Sequence, residues 1–264
     1  MTKKPTKQIK KSQNTKKRAD QYDEGNFNYL HYWEGRDYEH AAEEMAIRRL
    51  LKGKHFKTAV DIGGGYGRLC ILLEQYADKV TLAEPSQQQL DIAKDFLKDY
   101  PEIDQKRMQA DDLKFKDSSQ DLITMIRVMH HLPDPSAEFA ELARVLADDG
   151  ILILEMANYA HGRNRIKHAL KFKKMPVEPV DIRSEANKRE EEVAFVNHNP
   201  KTVVKQLAHA GLKVDKVLSV SNLRSPTIKK VVPESIMLSL ETFLQSALAR
   251  TYFGPSVFFL VKKA

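Results

Sequence analysis

The sequence predicts an α/β fold of alternating strands and helices, and three stretches carry that expectation. Residues 58–62 are a short apolar run that stops at Gly63, Gly64 and Gly65 and resumes with Leu69, Leu72, Leu73 and Tyr76 at helical spacing. Residues 79–83 form a second apolar run, which ends at Glu84 and passes through Pro85 into a helical pattern of Leu90, Ala93 and Leu97. Residues 121–125 and 151–154 are two more, separated by a helix with Phe139, Leu142, Ala143 and Leu146 at i, i+3, i+4 and i+7. Strands that alternate with helices in this way argue for a parallel sheet.

The glycine turn organises the chain. A strand that turns into a helix through glycines lets backbone approach a ligand closely, at a helix end with unpaired N–H groups. Its spacing departs from a dinucleotide fingerprint, because Arg68 stands where the third glycine is required. A Gly-Lys-Ser/Thr ending for a phosphate-cradling loop is absent too. Asp61 stands at the strand end, one residue before the glycines, and an acid there suits a cationic ligand better than a pyrophosphate.

The chain opens on a basic segment. Residues 1–18 hold eight Lys and Arg and no acid; removing them from the net charge of +7 leaves −1 for the remainder. With almost no apolar residues, residues 1–19 are expected to be a disordered basic tail, able at most to touch nucleic acid or an anionic surface weakly. Residues 20–56 read as an N-terminal aromatic cap and helix. Tyr22, Phe27, Tyr29, Tyr32, Trp33 and Tyr38 crowd its start, and Ala42, Met45, Ala46 and Leu50 share one helical face. No run reaches the roughly 18 apolar residues of a membrane span, and no secretory signal is visible, so a cytoplasmic chain is expected. Cys70, the single cysteine, reads as a core residue and gives no disulfide framework.

Glu84 lies at the second strand end, where a carboxylate can accept hydrogen bonds from both hydroxyls of a ribose. Ser86 and Gln89 are spaced as a capping box. The stretch Met108-Gln109-Ala110-Asp111-Asp112-Leu113 is expected to end a short strand. After the 121–125 strand comes Arg127-Val128-Met129-His130-His131-Leu132, broken by Pro133 and Pro135. Asp148, Asp149 and Gly150 read as a turn into the strand at 151–154. Residues 155–197 hold Asn158, Tyr159 and His161, a basic helical stretch at 163–174, two prolines and a charged segment. Asn199-Pro200 starts a helix that Gly211 ends. Residues 212–220 alternate as a strand. Residues 235–248 read as a helix with Ile236, Leu240, Phe243, Leu244, Ala247 and Leu248 inward, and 256–261 as a last strand.

Taken together, the glycine turn, the Glu84 strand end, the 108–115 stretch and the His-His loop resemble the motifs of the class I S-adenosylmethionine-dependent methyltransferases. The loop resembles most the small-molecule type of ubiquinone and menaquinone synthesis. The resemblance covers about residues 58–154 strongly and the C-terminal third weakly. It implies a Rossmann-like, seven-stranded, mostly parallel sheet with helices on both faces and an antiparallel last strand. The methyltransferase domain would be 57–264, with a substrate-side insertion at about 157–198. It implies S-adenosyl-L-methionine as cofactor and a small-molecule acceptor. Asp61, Gly63, Gly64, Gly65, Glu84, Pro85 and Arg127 would line the cofactor. Ala110 through its backbone, with Asp111 or Gln109, would meet the adenine. Arg36 would pair with the methionine carboxylate. His131 aligns with a histidine that recurs in the family loop, and with His130 it is the candidate base.

No Asn/Asp-Pro-Pro-Tyr/Phe run is present, and Cys70 is badly placed to attack cytosine, which argues against two nucleic-acid classes. An RNA methyltransferase anchored by the basic tail and a non-catalytic cofactor-binding module are the alternatives. No metal is expected.

Overall fold

The computed structural model describes Trp33, residues 35–184 and residues 195–264. Among them, helix α1 (Asp37–Leu51) leads into strand β1 (Phe56–Ile62). The order continues with α2 (Cys70–Leu73), β2 (Ala77–Glu84), α3 (Gln87–Phe96), β3 (Asp104–Arg107) and β4 (Gln120–Met125). A 3-10 turn (Met129–His131), α4 (Ser136–Val145) and β5 (Leu146–Ala157) follow. Then come α5 (Gly162–Leu170), the short strands β6 (Val180–Asp181) and β7 (Val196–Asn197), and α6 (Pro200–His209). Strand β8 (Leu212–Val220), α7 (Pro226–Val231), α8 (Glu234–Ala247) and β9 (Ser256–Lys263) complete the chain.

Seven strands form one sheet in the order β3-β2-β1-β4-β5-β9-β8. The first five are parallel; β9 inserts antiparallel between β5 and β8. This is the Rossmann-like arrangement that the sequence predicts. Its central strands are buried on both faces, so they read as continuous apolar runs. Along β5, Leu152, Leu154 and Met156 join one core and Ile151 and Ile153 the other. The first core packs under α1, α2 and α3, the second under α4 and α6.

Because β1, β2, β4 and β5 run parallel, their C-terminal ends open on one edge. Ile62, Glu84, Met125 and Ala157 therefore deliver their loops to one crevice, where ligands of open α/β sheets bind.

Four local expectations need correction. The helix after the glycines is a single turn, Cys70–Leu73, preceded by turns. Strand β3 ends at Arg107, so Gln109, Ala110 and Asp111 lie in the turn beyond it, closed by a bond from the Asp112 N–H to the Gln109 carbonyl. Asp148, Asp149 and Gly150 sit within β5 as an irregularity: its pairing with β4 moves from Gln120–Leu146 to Leu122–Ile151.

The largest error is the phase of α8. Met237, Glu241 and Gln245 face inward, while Ile236, Leu240 and Phe243 are exposed. The buried polar groups win because they satisfy backbone. Glu241 accepts from the N–H groups of Ser221 and Asn222 and from the Tyr38 hydroxyl, and Gln245 donates to the Ala42 carbonyl. Leaving such groups unpaired would cost more than the exposed apolar surface.

Ser86 caps α3 as expected, accepting from the Gln89 N–H at 3.2 Å. The reciprocal half of the capping box is not made: the Gln89 amide atoms are buried without partners. Asn199 caps α6 with Pro200 at its start.

Candidate functional site

The turn after β1 is built on backbone that only glycine adopts readily. Gly63 and Gly65 have φ of 65° and 59°. A Cβ on Gly63 would come 2.5 Å from Val128, and one on Gly64 would meet Asp61 Oδ2 and lie 2.6 Å from Leu82. The turn is thus pressed against Leu82 of β2 and against the loop after β4.

Beneath it lies Asp61, 1% exposed. Its Oδ1 accepts the Thr124 hydroxyl at 2.6 Å, and its Oδ2 has no hydrogen-bond partner. Burial pushes the carboxyl up to about 6, against the opposing pull of Thr124 and of Arg68. A buried carboxylate oxygen without a donor, under backbone without side chains, fits a ligand that brings a cation or a donor.

Glu84, at the neighbouring strand end, is also buried. It accepts from the Gly65 N–H at 2.8 Å and the Ser86 N–H at 2.9 Å, so it ties the glycine turn to the start of α3. Each carboxylate oxygen can accept more than one bond, which leaves this geometry compatible with a diol. The Pro85 carbonyl accepts from Arg107 Nε. Gln109 and Asp111 are exposed and Ala110 half-buried, all at this edge.

Facing the glycine turn is Arg127, the second residue past β4. It adopts φ 61°, a left-handed conformation costing about 1 kcal/mol in such a residue. Two buried acids hold it there. Its N–H donates to Glu155 at 3.0 Å, and Glu155 also accepts the Ser256 hydroxyl. Its guanidinium donates to Glu43 at 2.7 Å. Glu43, 1% exposed, also takes Arg68 Nη2 at 2.7 Å. Trp33 lies beside both guanidiniums, 3.8 Å from Arg68 and 4.9 Å from Arg127, and Arg68 also contacts His40. One carboxylate from α1 therefore bridges the two loops that flank the crevice.

The sequence does not reveal this bridge, since the partners are 25 and 84 positions apart. The available signal was an acid on the apolar face of α1, between Ala42 and Ala46. Arg68, read only as an obstacle to a dinucleotide site, is a central member. Arg36 is half-buried beside Trp33, whose carbonyl accepts its N–H.

His130 and His131 occupy the 3-10 turn with ring centroids 3.9 Å apart, and His130 lies 4.3 Å from the Phe195 ring. Burial holds the His130 imidazole well below its usual range, helped by His131, Arg127 and His198. The turn is pinned from below by His198, which sequence reasoning missed. His198 is buried, and its Nε2 lies 2.9 Å from the Met129 carbonyl, so that nitrogen must carry the proton. Its backbone bonds to Ala157 and Tyr159 fasten the β7 segment to the end of β5.

Cys70 is fully buried and its thiol is raised by burial, as a core residue's would be. The tail at 1–18, Tyr22, Phe27, Tyr29 and Tyr32 of the cap, and residues 185–194 of the insertion lie outside the described residues. Among the described residues no helix is long and apolar enough to cross a membrane.

Residues 60–154 match a methyltransferase-domain family. An uncharacterised methyltransferase of Bacillus subtilis, YcgJ, is 30% identical over 98 residues, which is 36% of this chain and 38% of that relative's length. Among solved structures, an S-adenosylmethionine-dependent methyltransferase of Thermotoga maritima superposes with a TM-score of 0.60 at 19% identity, over 89% of this chain and 95% of that one. A Haloferax volcanii protein solved with the methyltransferase activator Trm112 gives 0.61 at 17%, over 93% and 98%. At such identities the structures speak for the fold alone. Residues 60–154 are thus similar to a methyltransferase domain, and the chain spans well under half the length of the curated relative it matches.

Proposed function

We propose that the chain transfers a methyl group from S-adenosyl-L-methionine to a small-molecule acceptor. The observation that carries the reading is the unpartnered Asp61 oxygen beneath a turn that has room for backbone only. Asp61 and the turn of Gly63, Gly64 and Gly65 would hold the amino-acid end of the cofactor, the glycines by close approach of backbone, since the Gly63 and Gly65 N–H groups already donate to the Ala83 carbonyl and to Glu84. Arg36 would pair with its carboxylate and Arg127 would border it. Glu84 would take the ribose hydroxyls, with Pro85 beside it. The turn of Gln109, Ala110 and Asp111 would meet the adenine.

The cofactor supplies a methyl on a sulfonium, whose departure leaves a neutral thioether. Little acid catalysis is therefore needed, and positioning of the acceptor supplies much of the rate. An acceptor that must lose a proton needs a base. His130 is kept neutral by its buried surroundings, so its ring can face such an acceptor unprotonated, while the same burial weakens it as a base. His131, stacked on it, is the second candidate.

This reading is tested by incubating the purified chain with S-adenosylmethionine and separate metabolite and RNA fractions, and measuring S-adenosylhomocysteine. Formation with the metabolite fraction is expected. Formation with RNA alone would replace the acceptor class, and cofactor binding without any product would make the chain a non-catalytic module.

A pH dependence follows from Asp61. A cationic ligand prefers the carboxylate, and the folded carboxyl titrates near 6. Affinity should rise with pH through about 6 and level above it, with a fall below it of up to about tenfold per pH unit. Without ligand the sign reverses. The folded value lies above the ordinary 3.8, so folding favours the protonated form and stability falls as pH rises from about 4 to about 6. Asp61→Asn should flatten both curves. Isothermal titration and thermal melts from about pH 4 to about 8 check this.

A further inference from the structure

We infer that the hook formed by α5 and residues 171–177 is a docking surface for an anionic membrane. Between Glu155 and Glu178 the sequence has no acid and six Lys and Arg: Arg163, Arg165, Lys167, Lys171, Lys173 and Lys174. All but Arg165 are exposed. Interleaved with them are apolar side chains that face solvent: Ile166 at 61%, Leu170 at 76%, Phe172 at 99% and Val177 at 62% exposure. Ile166 and Leu170 are one helical turn apart, with Arg163, Lys167 and Lys171 on the adjoining stripe. An apolar stripe edged by cations is what lies in the plane of an anionic lipid interface.

The end of the helix supplies an independent observation. The Lys173 N–H donates to the His168 carbonyl and the Phe172 N–H to the Ala169 carbonyl, which closes α5 as a Schellman motif. The left-handed position of that motif usually belongs to glycine. Here it is Phe172, with φ 51°. A bulky residue in that conformation is strained, and its ring contributes nothing to the fold, since it is almost wholly exposed. Strain kept where the fold gains nothing points to use elsewhere. A ring held out at the tip, among Lys171, Lys173 and Lys174, suits insertion between lipid headgroups.

The hook is rigidly mounted. Asn164 donates to the Tyr159 carbonyl, Arg165 to the Ala160 carbonyl, and the Gly162 N–H to the Phe253 carbonyl. It leaves the same edge of the sheet as the glycine turn, so docking would set the crevice toward the bilayer and its apolar or amphiphilic solutes.

Docking needs no cofactor, so vesicle binding tests it apart from methyl transfer. The full chain should co-sediment with vesicles of mixed phosphatidylglycerol and phosphatidylcholine and not with phosphatidylcholine alone. Phe172→Gly should weaken binding by about tenfold, while raising the melting temperature, because glycine relieves the backbone. Leu170→Ser should weaken it similarly. Failure of the unaltered chain to bind anionic vesicles would overturn the proposal. Binding unchanged in both variants would overturn it too, and assign the attraction to charge alone, such as that of residues 1–18.

Discussion

Glu43→Ala should lower the melting temperature by roughly 6–20 °C, the largest effect expected of any single change in the crevice. The carboxylate is 1% exposed and holds Arg68 and Arg127, themselves largely buried. Removing one partner of a buried ion pair costs about 3–5 kcal/mol, because charge is left uncompensated. In a domain of this size each kcal/mol moves the midpoint by about 2–4 °C. Glu43→Gln should cost less, since the amide keeps one acceptor. The change also acts on the site. Arg127 loses one of the two contacts that hold its left-handed backbone, so cofactor affinity should fall in parallel. Scanning calorimetry with and without ligand checks both; an unchanged midpoint in Glu43→Ala would show that the bridge carries little.

Gly64→Val should abolish cofactor binding, with affinity reduced by at least about 100-fold, the equivalent of two such steps of about 1.4 kcal/mol. The added Cβ would meet Asp61 Oδ2 and lie 2.6 Å from Leu82, in the space where backbone alone fits. Overpacking of this kind costs about 1–3 kcal/mol in stability, so some loss of midpoint is expected as well. Gly53→Ala separates the two effects. Gly53 has φ 72° with nothing within 4 Å of an added Cβ, so it carries backbone strain without a blocked site. It should lose stability and keep ligand affinity. Equal affinity loss in both variants would trace the effect to folding.

What was legible in the sequence is what local chemistry dictates. Strands β1, β2, β4 and β9 are buried on both faces and read as unbroken apolar runs, so the sheet was accessible. Asp61 and Glu84 were legible because each closes such a run beside a turn. Strand β3, by contrast, is Asp-Gln-Lys-Arg at the sheet edge, with no apolar signal, and its end was placed too late. Helix α8 was read in the wrong phase because its inward face carries Glu241 and Gln245, chosen to satisfy backbone that lies far away in sequence. The Glu43 bridge and His198 were missed for the same reason. Each is a polar residue whose role exists only once distant segments meet, and a hydrophobic pattern cannot show it. The phase of a helix follows apolar residues only where no buried backbone needs a partner.

The cap is the clearest case. Its aromatic density pointed to something flat, and Trp33 does cover flat groups, though they are two guanidiniums of the domain itself. The tryptophan, His40 and Glu43 thereby couple α1 to both loops of the crevice.

The most direct test of the central claim is isothermal titration of the purified full chain with S-adenosylmethionine and S-adenosylhomocysteine. The account predicts micromolar binding of both at one site, stronger at pH 7 than at pH 5 and lost in Gly64→Val. Absence of binding for both ligands in the unaltered chain would contradict it.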